Sequence, residues 1–262
     1  MVRPFGEDNT MTLKLYSFGP AANSMKPLLT VFEKGLDVEK HRLDPAKFEH
    51  HTDWFKAINP RGQVPALVDG DPNGNFRVVT ESTVICEYLE DEYPTEVSLR
   101  PADSFGRAQM RIWTKWVDEY FCWCVSTIGW HRYVGNMVKS LSDAEFEEKV
   151  KAIPVVEQQV KWRRAREGFP QDLLDEEMRK IAYSVRKLDD HLADHEWLVP
   201  GQYTLADICN FAIANGMQFG FAELVNKEET PHLLRWIEQI NARPAVQAMF
   251  AQVELEKLGP RE

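Results

Sequence analysis

The sequence has no apolar run approaching the roughly 20 residues that a membrane-crossing helix needs, and its first ten residues lack the apolar core of a signal peptide. It reads as a soluble cytoplasmic protein with no membrane partner, Met1 to Thr10 forming a disordered leader. Cysteine is scarce. The four present, Cys86, Cys122, Cys124 and Cys209, sit inside apolar runs without C-x-x-C or Cys/His spacing. They read as reduced core thiols, not metal ligands. His191 and His195 share a helix face but have no third ligand near in sequence, so no metal is expected. Excess positive charge is also missing. The formal net charge is −10, and only Lys161 to Arg166 makes a basic stretch, read as a local basic helix. That balance argues against nucleic acid as a partner. What is present is 262 residues, 44% hydrophobic and 27% charged, enough for one large or two modest cores.

The first part of the chain mixes strand and helix signals. Thr12 to Phe18 has strand length, Gly19-Pro20 breaks it, and Ser24 opens an amphipathic helix that runs to Lys34 and ends at Gly35. Val38 to Leu43 is a second strand, completing a βαβ unit. A hairpin from Ala66 to Thr80 turns through Asp71-Pro72-Asn73-Gly74, and a helix from Ser82 to Tyr93 closes the unit. The spacing predicts an α/β domain over 11–93, a linker over 94–103 and an all-helical domain over 104–262. In the second domain, Trp113, Val117, Tyr120, Cys124 and Thr127 follow one helix face, while Trp116, Trp123 and Trp130 recur every seven residues on another. These aromatics are core, or one face lines a pocket. Ser142-Asp-Ala-Glu145, with a Leu141/Phe146 staple, opens a helix, and another spans Gln171 to Asp194. Thr204-Leu-Ala-Asp207 caps a helix that is apolar nearly all round and therefore central.

The stretch Asn59-Pro-Arg-Gly-Gln-Val-Pro-Ala-Leu67 places Pro65 where a strand should be pairing. A proline there is confined to an edge or a bulge, or turns the chain through a cis bond. With a cis bond, Val64 can offer its backbone N–H and C=O to another extended chain, as in peptide capture by strand addition. Glu81-Ser82 follows a strand and precedes a helix. Ser82 can cap that helix, whose free N–H groups favour a carboxylate, while Glu81 favours an ammonium group. A short peptide carrying both charges at one end fits this pair.

At these residues the chain resembles the glutathione transferases. Val64-Pro65 followed by Glu81-Ser82 matches their glutathione site, and Thr204 to Ile208 and Asn241 to Val246 match their helical domain. The resemblance covers about Met11 to Phe250. It implies a thioredoxin-like N-terminal domain, an all-α C-terminal domain, glutathione as co-substrate and a two-fold homodimer. Leu13 to Pro20, Asn23-Ser24 and Trp113 to Cys124 further resemble the bacterial β-etherases that cut lignin-derived β-aryl ethers, of the type accepting the S-configured ether. That implies thiolate attack on the carbon bearing the aryloxy group beside an α-ketone, releasing a phenol. Another glutathione reaction, such as isomerisation or dehalogenation, and a non-catalytic ligand-binding role on the same fold stay open.

A free thiol is only partly ionised at neutral pH, so the reaction needs donors at the sulfur. At the start of the first helix Ser24 is either a plain N-cap or the thiolate donor, since both use one geometry, and the resemblance favours the donor. Asn23 is its rival or assistant, and Tyr16 reads as core. His51 stands where relatives place a cation over the glycine carboxylate of glutathione, with Lys47 and His50 as alternatives and a plain loop histidine as the competing reading. Gln63 can bond the same end.

Overall fold

The structure, a computed structural model, describes residues 12–70 and 75–258. The anticipated leader Met1 to Thr10 and the turn Asp71 to Gly74 lie outside the described residues. Strand β1 (Thr12–Ser17) alternates buried Leu13, Leu15 and Ser17 with half-buried Lys14 and Tyr16, the period of two expected of a sheet covered unequally on its faces. Helix α1 (Ala22–Lys34) ends at Gly35, and β2 (Val38–Arg42) returns parallel to β1, pairing Lys40 with Leu15. A 3₁₀ turn at Glu49–His51 and the short α2 (Asp53–Lys56) lead to the proline loop, where the Val64–Pro65 bond is cis. Strands β3 (Ala66–Gly70) and β4 (Phe76–Thr80) are antiparallel, with Leu67 opposite Val79. The sheet order is β2-β1-β3-β4. Helix α3 (Ser82–Glu92) packs with α1, and Leu15, Leu29, Leu67, Ile85 and Leu89 lose all solvent exposure in one core.

A continuous rod then begins with α4 (Ser104–Trp116), passes through a π turn (Val117–Phe121), α5 (Cys122–Gly129) and a second π turn (Trp130–Val134), and ends in α6 (Gly135–Met137). This corrects the seven-residue tryptophan stripe. A π turn bonds residue i to i+5 and so takes up extra chain per turn, rotating whatever follows. Trp116 stacks on Phe121 at 5.3 Å, Trp130 meets Trp162 at 5.0 Å, and Trp123 is 59% exposed. On the other face Trp113, Val117 and Cys124 are buried as expected, while Tyr120 and Thr127 are half-buried.

Helix α7 (Asp143–Lys151) carries the Ser142/Glu145 capping box, with Phe146 buried and Leu141 packed on the same cluster. Helix α8 (Val156–Glu167) crosses the end of the rod at Gly135, where a Cβ would fall 2.0 Å from the Ala165 carbonyl oxygen. Only glycine permits that approach. The stretch read as a basic helix is not solvated throughout, because Trp162 is buried and Lys161 turns inward. Helix α9 (Gln171–Asp194) has the expected bounds. In α10 (Leu205–Ala214) every residue is buried. Helices α11 (Met217–Gly220), α12 (Pro231–Asn241) and α13 (Pro244–Leu258) complete the chain. Two ion pairs tie α1 to the helical part: Lys26 Nζ to Asp118 Oδ1 at 2.5 Å, and Glu33 to Arg243 at 2.6 Å.

Asp207 does more than cap α10. Its buried carboxylate accepts from the Thr204 and Leu198 backbone N–H groups and from Trp236 Nε1, each at 3.0 Å. Replacing it leaves three buried donors unpaired, each costing about 1 to 3 kcal/mol. Asp207→Ala is expected to lose about 3 kcal/mol or more in urea denaturation, and Asp207→Asn, which keeps one acceptor oxygen, less than Ala.

Candidate active site

All eight residues singled out from the sequence, Asn23, Ser24, His51, Gln63, Val64, Pro65, Glu81 and Ser82, line one cavity of about 620 Å³. That volume suits a small ligand. Ser17, Gly19 and Arg42 border a separate depression of about 20 Å³, room for about one water. The cavity's polar wall comes from the start of α1, the 59–65 loop and the start of α3. Its opposite wall comes from α5, the second π turn and α8, through Cys122, Ser126, Trp130, Lys161 and Trp162.

Ser24 is not the cap of α1. It is the third helical residue, 3% exposed, and Ala21 occupies the cap position without a side-chain bond. The chain turns into the helix three residues earlier than a capping serine would set it, and the hydroxyl oxygen instead accepts from the Phe18 N–H at 3.1 Å. Its own proton remains to donate toward the cavity. Beside it, Asn23 Oδ1 accepts from the Cys122 thiol at 3.5 Å, which turns the amide NH₂ away from that contact. The α1 N-terminus adds backbone N–H groups and partial positive charge.

Ser82 is likewise the first residue of α3 and not its cap, which is Glu81 at φ 68° and ψ 117°. A non-glycine residue in that region costs about 1 to 3 kcal/mol, and such strain persists where the surrounding structure imposes it. Here it leaves the Glu81 carboxylate exposed at the cavity rim, against the positive start of an eleven-residue helix. In the loop, Asn59 Nδ2 donates to the Gln63 carbonyl at 2.7 Å and Arg61 Nε donates to Gln63 Oε1 at 3.0 Å. Tyr16 stacks on His41 outside the cavity, and Lys47 pairs with Asp44 at 3.6 Å, so neither contributes to its lining.

His51 reaches the cavity but is not the cation the resemblance implies. Its ring is 3.8 Å from that of His50, both are buried, and neither His51 nitrogen has a hydrogen bond. Burial pushes His51 down to about 4, assisted by Lys56, and pushes His50 down to about 3, assisted by His51. Both are neutral at pH 7. Gly62 is required at this contact: its φ is 60°, and a Cβ would sit 2.6 Å from His51 Nδ1. His51 therefore offers a desolvated, unpartnered N–H rather than a charge.

Lys161 is the residue that the sequence reading missed at this site. Its Nζ donates to Ser126 Oγ at 2.9 Å and lies 4.7 Å from the Trp130 ring, and burial lowers its pKa to about 8. The available signal was its position on α8 between Gln158 and Ala165, at i−3 and i+4, on the side facing the cluster. Among the described residues no group of His, Cys, Asp and Glu could hold a metal ion.

The two histidines also contribute to the response to acid. Their folded pKa values lie below the ordinary value near 6.5, so below that pH the unfolded chain binds protons that the folded chain refuses. Each histidine should therefore take up to about 1.4 kcal/mol per pH unit from stability as pH drops from 6.5 toward 4, while Asp207, whose carboxyl burial raises to about 6, contributes in the opposite sense below pH 6. His50→Gln should remove about half of the histidine contribution, making the loss of stability between pH 6.5 and 5 smaller than in the wild type in urea titrations, and equal changes in both proteins would overturn the assignment.

Comparison with known proteins places this geometry. Residues 11–91 match the glutathione S-transferase N-terminal domain and residues 121–244 the C-terminal domain. Protein LigF of Sphingobium sp. (strain NBRC 103272 / SYK-6) is 60% identical over 258 residues, covering 96% of this chain and 98% of that protein. The crystal structure of that organism's β-etherase LigF superposes with a TM-score of 0.88 at 61% identity, covering 92% of this chain and all of the other. A glutathione transferase from Burkholderia graminis, solved with two glutathione molecules per subunit, is 26% identical with a TM-score of 0.68, covering 91% of this chain and 87% of its own. A maleylpyruvate isomerase from Ralstonia sp. is 38% identical, but over only 99 residues, 38% of this chain and 44% of that protein. The chain belongs to the glutathione S-transferase family.

Proposed function

We propose that this protein is a β-etherase, which uses glutathione to cleave the β-aryl ether bond of lignin-derived aryl ketones. The observation that carries the reading is the 60% identity to LigF along nearly the whole chain, including the helices that wall the cavity. The likeness to the isomerase does not extend that far. The cavity's polar half fits glutathione on its own residues. The unpartnered His51 nitrogens and Gln63 suit the glycine end, the cis Val64-Pro65 edge suits the peptide backbone, and Glu81 with the Ser82 helix start suits the α-amino acid end. We assign 11–93 to the glutathione domain, 94–103 to the linker and 104–262 to the substrate-binding helical domain.

Glutathione is a substrate here: its thiolate forms a C–S bond at the β-carbon as the C–O bond breaks and the electron pair leaves with the phenol oxygen. Ser24 donates its hydroxyl proton to the sulfur as a hydrogen bond, and Asn23 offers a second donor from its NH₂. The α1 backbone N–H groups add positive potential that side-chain replacement leaves in place. Trp130, Val125 and Val134 present the apolar surface for an aryl ring.

Incubation with glutathione and a racemic β-aryloxy α-ketone, followed by chiral chromatography, should show phenol release with consumption of the S-configured ether. Ser24→Ala should raise the pKa of bound glutathione and slow cleavage by about ten- to hundred-fold, the worth of one charge-assisted hydrogen bond of about 1.5 to 3 kcal/mol, without abolishing it. An unchanged rate and unchanged thiolate absorbance would pass the role to Asn23 or the helix backbone.

The assembly we propose is a two-fold homodimer, the commonest closed symmetry. Phe76, Val84, Phe105 and Ile112 expose more than half of their surface on β4, α3 and α4, and Arg111 bonds Glu87 to join the last two elements into one face. Light scattering should return twice the 30.3 kDa of one chain at micromolar concentration, and a mass near that of one chain would reject it.

A further inference from the structure

Lys161 is a half-buried amine that lines the cavity, and its hydrogen-bond partner is a neutral hydroxyl. Its Nζ donates to Ser126 Oγ at 2.9 Å and lies over the rings of Trp130 and Trp123 at 4.7 and 5.5 Å. An ammonium held on indole faces keeps donors free for an incoming acceptor. Its place in the cavity is defined from two sides. Helix α8 is fixed against α6 by the close approach at Gly135, and Lys161 is within electrostatic range of Cys122, whose thiol contacts Asn23. Asn23 adjoins Ser24 in the chain, so the ammonium and the thiolate donors converge on one space from opposite walls.

On the β-etherase reading, we propose that Lys161 is the general acid of the reaction, protonating the phenol oxygen as the ether bond breaks. The balance is complete without another reagent. The glutathione thiol gives its proton to solvent, the β-carbon exchanges its C–O bond for a C–S bond, and the departing oxygen takes a proton from the Lys161 ammonium. The neutral amine then recovers a proton from water. No electron is gained or lost overall.

The acidity matches this task. Burial brings the ammonium down to about 8, while a simple phenol such as a tyrosine side chain has a pKa of about 10, so transfer to a phenolate runs downhill. The titratable neighbours are Cys122 from α5 and Glu177 from α9, both pulling upward. Glu177 is already paired with Lys180 at 3.0 Å, which leaves desolvation dominant.

The test is the dependence of kcat/KM on the leaving phenol, measured for the wild type and Lys161→Met on a series of β-aryloxy ketones from methoxyphenol to nitrophenol ethers. Nitrophenolate leaves without a proton. The wild type should vary little along the series. The variant should lose roughly 100-fold on methoxyphenol ethers and less than about 3-fold on the nitrophenol ether. In the wild type, kcat should also fall above about pH 8, a limb absent from Lys161→Met. Circular dichroism and glutathione affinity by calorimetry monitor folding and the first-domain site. Equal loss across the series, or no loss, overturns the general-acid role while leaving the β-etherase reading intact. A wild type that cleaves none of the ethers overturns that reading, and this role with it.

Discussion

Lys26 has no exposed side-chain surface, and its ammonium crosses from α1 to Asp118 in the first π turn of the long helical rod. Removing Asp118 would strand the Lys26 ammonium in a place that water does not reach, at a cost of up to about 3 to 5 kcal/mol. Asp118 is 37% exposed, which moderates the cost on its side. The geometry of the rest follows from this tie. Helix α1 is gripped by α3 on one side and by α10 and α13 on the other, so the α1 N-terminus that carries Asn23 and Ser24 is set relative to α5. The π turn is part of the device, since i→i+5 bonding rotates Asp118 away from the register that an uninterrupted helix would give it.

The cavity accordingly has two walls of different chemistry. On the first-domain side, helix starts, a carboxylate and neutral histidines face it, a set suited to a zwitterionic peptide. On the helical side, indoles, valines and one amine face it, a set suited to an aryl group with a polar oxygen. The Cys122 to Asn23 contact is where the two meet. Burial decides the protonation states on both sides. It keeps His50 and His51 neutral and brings Lys161 toward neutrality, and it pushes the Cys122 thiol up, which disfavours Cys122 as a competing thiolate.

Much of this was legible in residue order. The Ser142/Glu145 and Thr204/Asp207 boxes formed with both reciprocal bonds, α1 stopped at Gly35, and the proline of the 59–67 stretch adopted one of the conformations open to it. All eight site residues gathered in one cavity. Ser82 was misread as a cap, and the cap reading of Ser24 stayed open beside the donor reading, because a serine near a helix start satisfies the pattern whether or not its oxygen turns back on the helix. In Ser24 that oxygen bonds Phe18 in the preceding loop. The tryptophan stripe failed because periodicity presumes α-helical bonding throughout. Lys161 was read by its neighbours Arg163, Arg164 and Arg166 rather than by its helix face.

The sequence by itself determined what depends on a few adjacent residues: the caps, the proline loop, the strand and helix periods, and the family to which these motifs belong. Tertiary structure alone decided what each ionisable group would be. His51 is no cation because Phe48 and His50 pack on it, and Lys161 is no surface charge because Trp123 and Trp130, more than thirty positions away, replace its water. Local geometry is written in short-range hydrogen bonds and sterics, whereas a charge state is set by desolvation, and desolvation depends on every element that closes over the site.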